Sequence, residues 1–234
     1  MLQNRAKQYP EASAILAPGR TPLSYGKLGR QVDDVRAFLY TAGLGRYDRI
    51  ALVLPNGPEM AVASLAMASC MTCLPLNPIQ GSYEFATYLA DLNASALVID
   101  QGLDSPVRDM ARARGIPVFE LTPGAETAAG LFTLRSAASG VDRTSVDTAA
   151  NGSALPSDVA FVLQTSGTTS RPKIISLTHA DVCLSAYHTC LAYAFTASDR
   201  DVEKRSVSIQ QAQRATLAHA EDGRAEVYLV IQFE

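Results

Sequence analysis

Residues 165–173 read Thr165-Ser166-Gly167-Thr168-Thr169-Ser170-Arg171-Pro172-Lys173 and lie between two apolar runs, 159–164 (VAFVLQ) and 174–177 (IISL). Five hydroxyl residues surround one glycine, and a single lysine follows behind a proline. A strand, a small flexible loop and a cation together describe a seat for a polyphosphate. Glycine lets a backbone approach its ligand closely, and successive N–H groups can point at anionic oxygens. The hydroxyls donate hydrogen bonds, and Lys173 supplies a compact positive charge.

This loop is not the P-loop of kinases and GTPases. That motif needs G-x-x-x-x-G-K-[ST] opening a helix; here no second glycine precedes Lys173, and no Ser or Thr follows it. A Ser/Thr/Gly run between strands also serves as an ordinary turn. Composition alone leaves both readings open.

The wording of the loop goes further. TSGTTSRPK resembles the phosphate-loop signature of the adenylate-forming superfamily, which includes acyl-CoA synthetases, firefly luciferase and peptide-synthetase adenylation domains. That signature is written [ST]-S-G-[ST]-T-G-x-P-K, and eight of the nine positions fit. Ser170 stands where glycine is usual, and Ile174-Ile175 replace the commoner Gly-Val. Oxalate–CoA ligases resemble this variant. The resemblance extends to Ser24-Tyr25-Gly26-Lys27-Leu28, similar to the opening of the family's first long helix. It also covers 49–58 (RIALVLPNGP), 74–78 (LPLNP) and 88–98 (YLADLNASALV), and runs from residue 1 to about 200.

What the resemblance implies is an ATP-dependent acid–CoA ligase of the kind found in fatty acid metabolism. Its substrates are a small-molecule carboxylic acid and ATP with Mg2+. Its acyl acceptor is coenzyme A, or phosphopantetheine on a carrier protein. Thr165, Ser166, Gly167, Thr168, Thr169 and Lys173 would hold the phosphates.

Composition bounds the alternatives. A chain of 234 residues can bury one good core and part of a second. The net charge of −3, with no long run of one sign, favours neither nucleic acid nor an acidic membrane surface. The N-terminal residues lack the apolar core of a secretory signal. The longest apolar run, 60–76, contains Ser64, Ser69, Thr72 and Pro75 and is short for a membrane span. A soluble cytoplasmic protein is expected. Cys70 and Cys73 form a C-x-x-C, but Cys183 and Cys190 are separated by six residues, so zinc spacing is not met and buried structural thiols are expected.

Between residues 24 and 120 helical and strand patterns alternate. Ser24 can cap a helix with Tyr25, Leu28, Val32, Val35 and Leu39 on one face, ended by Gly43. Strands follow at 49–54, 72–76, 96–99 and 117–120, with helices at 58–70, 82–92 and 106–114. Such alternation predicts a doubly wound, largely parallel α/β sheet, the N-terminal part of an adenylate-forming ligase large domain. Ligands on such sheets bind beyond the carboxyl ends of the strands. Residues 121–157, rich in Ala, Ser, Thr and Gly, read as a flexible surface excursion. Thr178 and Asp181 suggest a capping box for a helix to about Ala194, with His179 and His188 as ordinary helix residues.

After Asp199-Arg200 the resemblance stops. The family continues with an apolar strand and a His-x-x-Gly turn, whereas this chain carries a polar stretch and then an apolar run, 227–233, that reads as a strand with no evident partner. His219 lacks the following glycine, and Asp222-Gly223-Arg224 stands alone. The Tyr-Gly-x-Thr-Glu motif is absent, and none of the four lysines, Lys7, Lys27, Lys173 and Lys204, lies in a C-terminal domain. The expectation is an AMP-binding part at 1–200 with an unrelated or frame-shifted tail at 201–234. The alternative to a ligase is then a truncated, non-catalytic fragment with at most weak nucleotide binding or an interaction role.

Overall fold

The computed structural model describes residues 2–124, 128–137, 154–165, 173–194, 201–203, 217–221, 224–228 and 231–233. The chain opens with α1 (Leu2–Gln8), β1 (Ser13–Leu16) and β2 (Leu23–Ser24). There follow α2 (Tyr25–Thr41), β3 (Arg49–Val53), α3 (Pro58–Ala68), β4 (Thr72–Pro75), α4 (Ser82–Asp91), β5 (Ala96–Asp100), α5 (Val107–Ala113) and β6 (Val118–Pro123). The rest comprises β7 (Phe132–Ser136), β8 (Val159–Thr165), β9 (Lys173–Thr178), α6 (His179–Tyr193), β10 (Asp201–Glu203), β11 (Leu217–Glu221), β12 (Arg224–Tyr228) and β13 (Ile231–Phe233).

Seven strands form one sheet in the order β7-β6-β5-β3-β4-β8-β9. The five inner strands are parallel, and the two outer ones run antiparallel to their neighbours. Each inner strand is apolar on both sides, so residues alternate between two cores. Ile50, Leu52, Val98 and Phe119 enter the core under α2 and α3. Ala51, Val53, Leu97 and Ile99 enter the core under α4 and α5. The expected doubly wound sheet is therefore present.

The helices form for the reasons legible in their sequences. The Ser24 hydroxyl accepts from Lys27 N at 3.4 Å, and Gly43, at φ 79°, takes the left-handed turn that ends α2. Tyr25, Leu28, Val32, Val35 and Leu39 are all buried. Thr178 and Asp181 make the reciprocal cap of α6: Asp181 N donates to Thr178 Oγ1 at 3.1 Å and Thr178 N to Asp181 Oδ2 at 2.9 Å. Cys70, Cys73 and Cys190 are buried. Desolvation pushes the Cys70 thiol up to about 11 and Cys73 up further, so both stay protonated.

Two sequence expectations are corrected. The described part of the 121–157 stretch carries ordered structure: β6 continues to Pro123, and β7 pairs with it antiparallel. Ala128, Ala129 and Phe132 there are buried, and the Arg20 guanidinium donates to the carbonyls of Gly124 and Ala128. Small residues hid this docking, because alanine packs closely without a hydrophobic period to announce it. The apolar run at 227–233 is not one strand. β12 pairs with β11, and β13 joins a second sheet, β10-β13-β1-β2, lying parallel to both β1 and β10. Its partner β1 is at the far end of the sequence and has no local signal.

Candidate functional site

The carboxyl ends of β3, β4, β5, β6 and β8 collect along one edge of the large sheet, because all five strands are parallel. Strand β8 reaches that edge and the chain returns antiparallel as β9, with Thr165 opposite Lys173 as the last pair. The Thr165–Lys173 pair thus stands at the edge where a ligand of such a sheet binds. Of the expected phosphate residues, Thr165 and Lys173 are brought face to face by this register. Ser166, Gly167, Thr168 and Thr169 lie outside the described residues.

Lys173 is exposed and makes no ion pair among the described residues. Arg108, near this edge, is already engaged. Arg108 donates to the Asp100 carbonyl at 2.6 Å and pairs with Glu120 at 2.5 Å. Asn77 uses its side-chain oxygen on Ile79 N at 3.1 Å, which shapes the turn after β4. A compact ammonium is therefore left to meet an incoming anion.

The far end of the hairpin is clasped by residues that sequence reasoning missed. Arg46 grips Asp158 through two bonds, Nε to Oδ2 at 2.6 Å and Nη2 to Oδ1 at 2.7 Å. This contact holds the Asp158 carboxyl below the usual carboxylate range. The Asp158 carboxylate also accepts from Leu155 N at 2.6 Å, and its carbonyl takes His179 N at 2.9 Å. Thr72 Oγ1 donates to the Val159 carbonyl at 2.9 Å. Together these tie the start of β8 to the start of α6. The register shifts between Val159 and Phe161, so that Ala160 and Phe161, neighbours in sequence, enter the same core. Arg46 and Asp158 are 112 residues apart, and no spacing rule links them.

His179 is the first residue of α6, where a cap was expected, and burial lowers its pKa below 6.5. Its ring donates to the Ala68 carbonyl, and Nε2 has no partner among the described residues. His188 is exposed on the same helix. Among the described residues no helix is long and apolar enough to cross a membrane.

A model of the AMP-binding enzyme family matches residues 2–219. The chain belongs to the AMP-binding enzyme family. The match runs past residue 200, where the motif-level resemblance stops. Among curated relatives, this AMP-binding enzyme is 31% identical over 204 residues to a probable CoA ligase, CCL9, of Humulus lupulus, covering 86% of this chain and 38% of that protein. It is 30% identical over 204 residues to the oxalate–CoA ligase of Arabidopsis thaliana, covering 86% and 39%. Among solved structures, O-succinylbenzoate coenzyme A synthetase from Bacillus subtilis, in complex with ATP and magnesium, superposes with a TM-score of 0.72 at 16% identity. That match covers all of this chain and 44% of the other. The AMP-binding chain thus spans about two-fifths of the length of the curated relatives it matches.

Proposed function

We propose that this chain carries the nucleotide-binding part of an ATP-dependent acid–thiol ligase of the acyl-CoA synthetase type. A carboxylate oxygen of the acid attacks the α-phosphorus of MgATP. The bond to the bridging oxygen breaks, and pyrophosphate leaves with its electron pair. The thiol of coenzyme A, or of phosphopantetheine on a carrier protein, then attacks the acyl carbon of the adenylate, loses its proton and displaces AMP. Residues 1–200 form the N-terminal part of the AMP-binding domain in this reading, and 201–234 a tail of separate pattern. A cytoplasmic setting, where ATP and coenzyme A are at hand, fits it.

The observation that carries the reading is the pairing of Thr165 with Lys173 at the carboxyl edge of a parallel sheet. It draws both ends of the 165–173 segment together, so Thr165, Ser166, Gly167, Thr168 and Thr169 would surround the β- and γ-phosphates. Lys173 would then offset the charge that grows as pyrophosphate departs. The two CoA ligases among the relatives support the reaction class, and the ATP and magnesium held by the Bacillus subtilis synthetase support the nucleotide. Among the described residues no group of three or more His, Cys, Asp or Glu side chains could hold an ion. Magnesium enters here as part of the MgATP substrate.

Replacing Lys173 with alanine should lower acid-dependent ATP–pyrophosphate exchange on the order of 100-fold or more. The thermal midpoint should stay put, because Lys173 is exposed. Exchange that survives the substitution counts against the assignment. A chain that binds nucleotide without turning it over is told apart in the same experiment: calorimetry would register MgATP while no acid supports exchange.

A further inference from the structure

A cavity of about 460 Å3 opens between α1, α2, α3, the start of β8 and the start of α6. Pockets that hold small molecules run from roughly 300 to 1,000 Å3, walled mainly by hydrocarbon with a few polar groups that fix orientation. The walls here follow that pattern. Val32, Leu65, Phe161 and Val182 supply hydrocarbon from α2, α3, β8 and α6, and His179 borders the space at the head of α6. The cavity meets β8 at Ala160 and Phe161, so roughly 15 Å of strand separates it from Thr165.

Polar side chains elsewhere in the lining already have partners. Gln3 Nε2 and Arg36 Nη2 both donate to Asp33 Oδ1, at 3.0 and 2.7 Å, and Ser69 Oγ donates to the Ala66 carbonyl at 2.7 Å. His179 is only half used. One ring nitrogen donates to the Ala68 carbonyl, while Nε2 is buried without a hydrogen-bond partner among the described residues. A neutral imidazole that donates through one nitrogen presents the other as an acceptor. Burial keeps this ring neutral near pH 7. A buried acceptor without a donor is a standing cost, and a ligand that brings the donor removes it.

We propose that the cavity is a second ligand site, taking a small, largely apolar molecule with one hydroxyl, whose O–H would donate to His179 Nε2. The hydrocarbon body would lie on Leu65, Phe161 and Val182. Nε2 is closed to water, so the ring would turn about its contact with Ala68 to meet the hydroxyl. A hydrocarbon of the same shape would fill the same walls and leave the nitrogen unpaired.

The chain has no Trp, so titrations of the purified chain with α-naphthol and naphthalene can be read from the ligands' own fluorescence. Near neutral pH, α-naphthol should bind saturably. His179→Phe, which keeps a ring and removes its nitrogens, should lower the ratio of naphthol to naphthalene affinity about tenfold, with naphthalene unchanged. If that variant fails to fold, nitrogen NMR of the parent chain decides: naphthol should move the His179 Nε2 resonance and naphthalene should not. Saturating MgATP should leave naphthol binding untouched, because its proposed seat is at the other end of β8. The proposal is overturned if naphthol binding does not saturate, if His179→Phe leaves the ratio as it was, or if the Nε2 resonance stays still. Competition by MgATP would place the ligand at the phosphate end and also overturn it.

Discussion

His179 refuses a proton that the unfolded chain would accept. Its imidazole is depressed below 6.5 chiefly by burial, with the Ala68 carbonyl and Asp158 pulling the other way. Below about pH 6.5 the unfolded chain therefore binds more protons than the folded one, and stability must fall as pH falls. Above that value the slope from this residue vanishes. Asp158, held below 3.8 by Arg46, contributes loss only in a separate and more acidic window. Denaturant midpoints between pH 8 and 5 should thus drop on the acid side, and His179→Gln should flatten the drop. A slope unchanged by that substitution would assign the effect elsewhere. Single residues were legible in the sequence only where neighbours in the chain are also neighbours in space. The hydroxyl run announces itself in the sequence because its parts are contiguous, and Lys173, at its end, lies opposite Thr165 in the strand register. The Arg46–Asp158 clasp does not, since each residue alone looks like any surface charge.

At the level of elements, the helices with a cap, a period and a terminal glycine were all readable, and α2 and α6 show why: Ser24, Gly43, Thr178 and Asp181 fix their ends through bonds to the nearest backbone. The short strands were not. Strand β1 has four residues and β2 two, too few for alternation to register. Strand β7 faces solvent over most of its length, so its sequence carries no apolar run. The turn before β7 is nevertheless tightly fitted. Gly130 sits at φ +85°, and a Cβ there would come within 2.6 Å of Val62 and 2.9 Å of the Pro58 carbonyl on α3. Left-handed strain and overlap act together, so Gly130→Ala should cost roughly 2–4 kcal/mol. That corresponds to a fall on the order of 5–10 °C in the thermal midpoint. A melting curve that matches the parent would mean the turn is not docked on α3.

For the whole molecule, the described strands leave β9 at an edge of the large sheet. Ile174 and Ile175, on opposite faces of that strand, are 48% and 41% exposed, and Leu184 and Leu191 on the adjoining helix α6 are each 56% exposed. An open edge flanked by apolar side chains is a template for another strand. Light scattering should show concentration-dependent association of the chain at neutral pH, and Ile175→Lys should reduce it by placing a charge on the edge. A parent chain that stays monomeric at high concentration would contradict this. Overall architecture was the most legible level of all, because buried parallel strands alternating with helices admit few arrangements. What escaped was closure. Strand β13 returns to lie parallel beside β1, with Ile15 opposite Ile231 and Leu16 opposite Gln232. The consequence is mechanical. Tension applied through the first and last residues runs along two parallel strands in opposite directions, so their hydrogen bonds are loaded all at once in shear instead of being unzipped one by one.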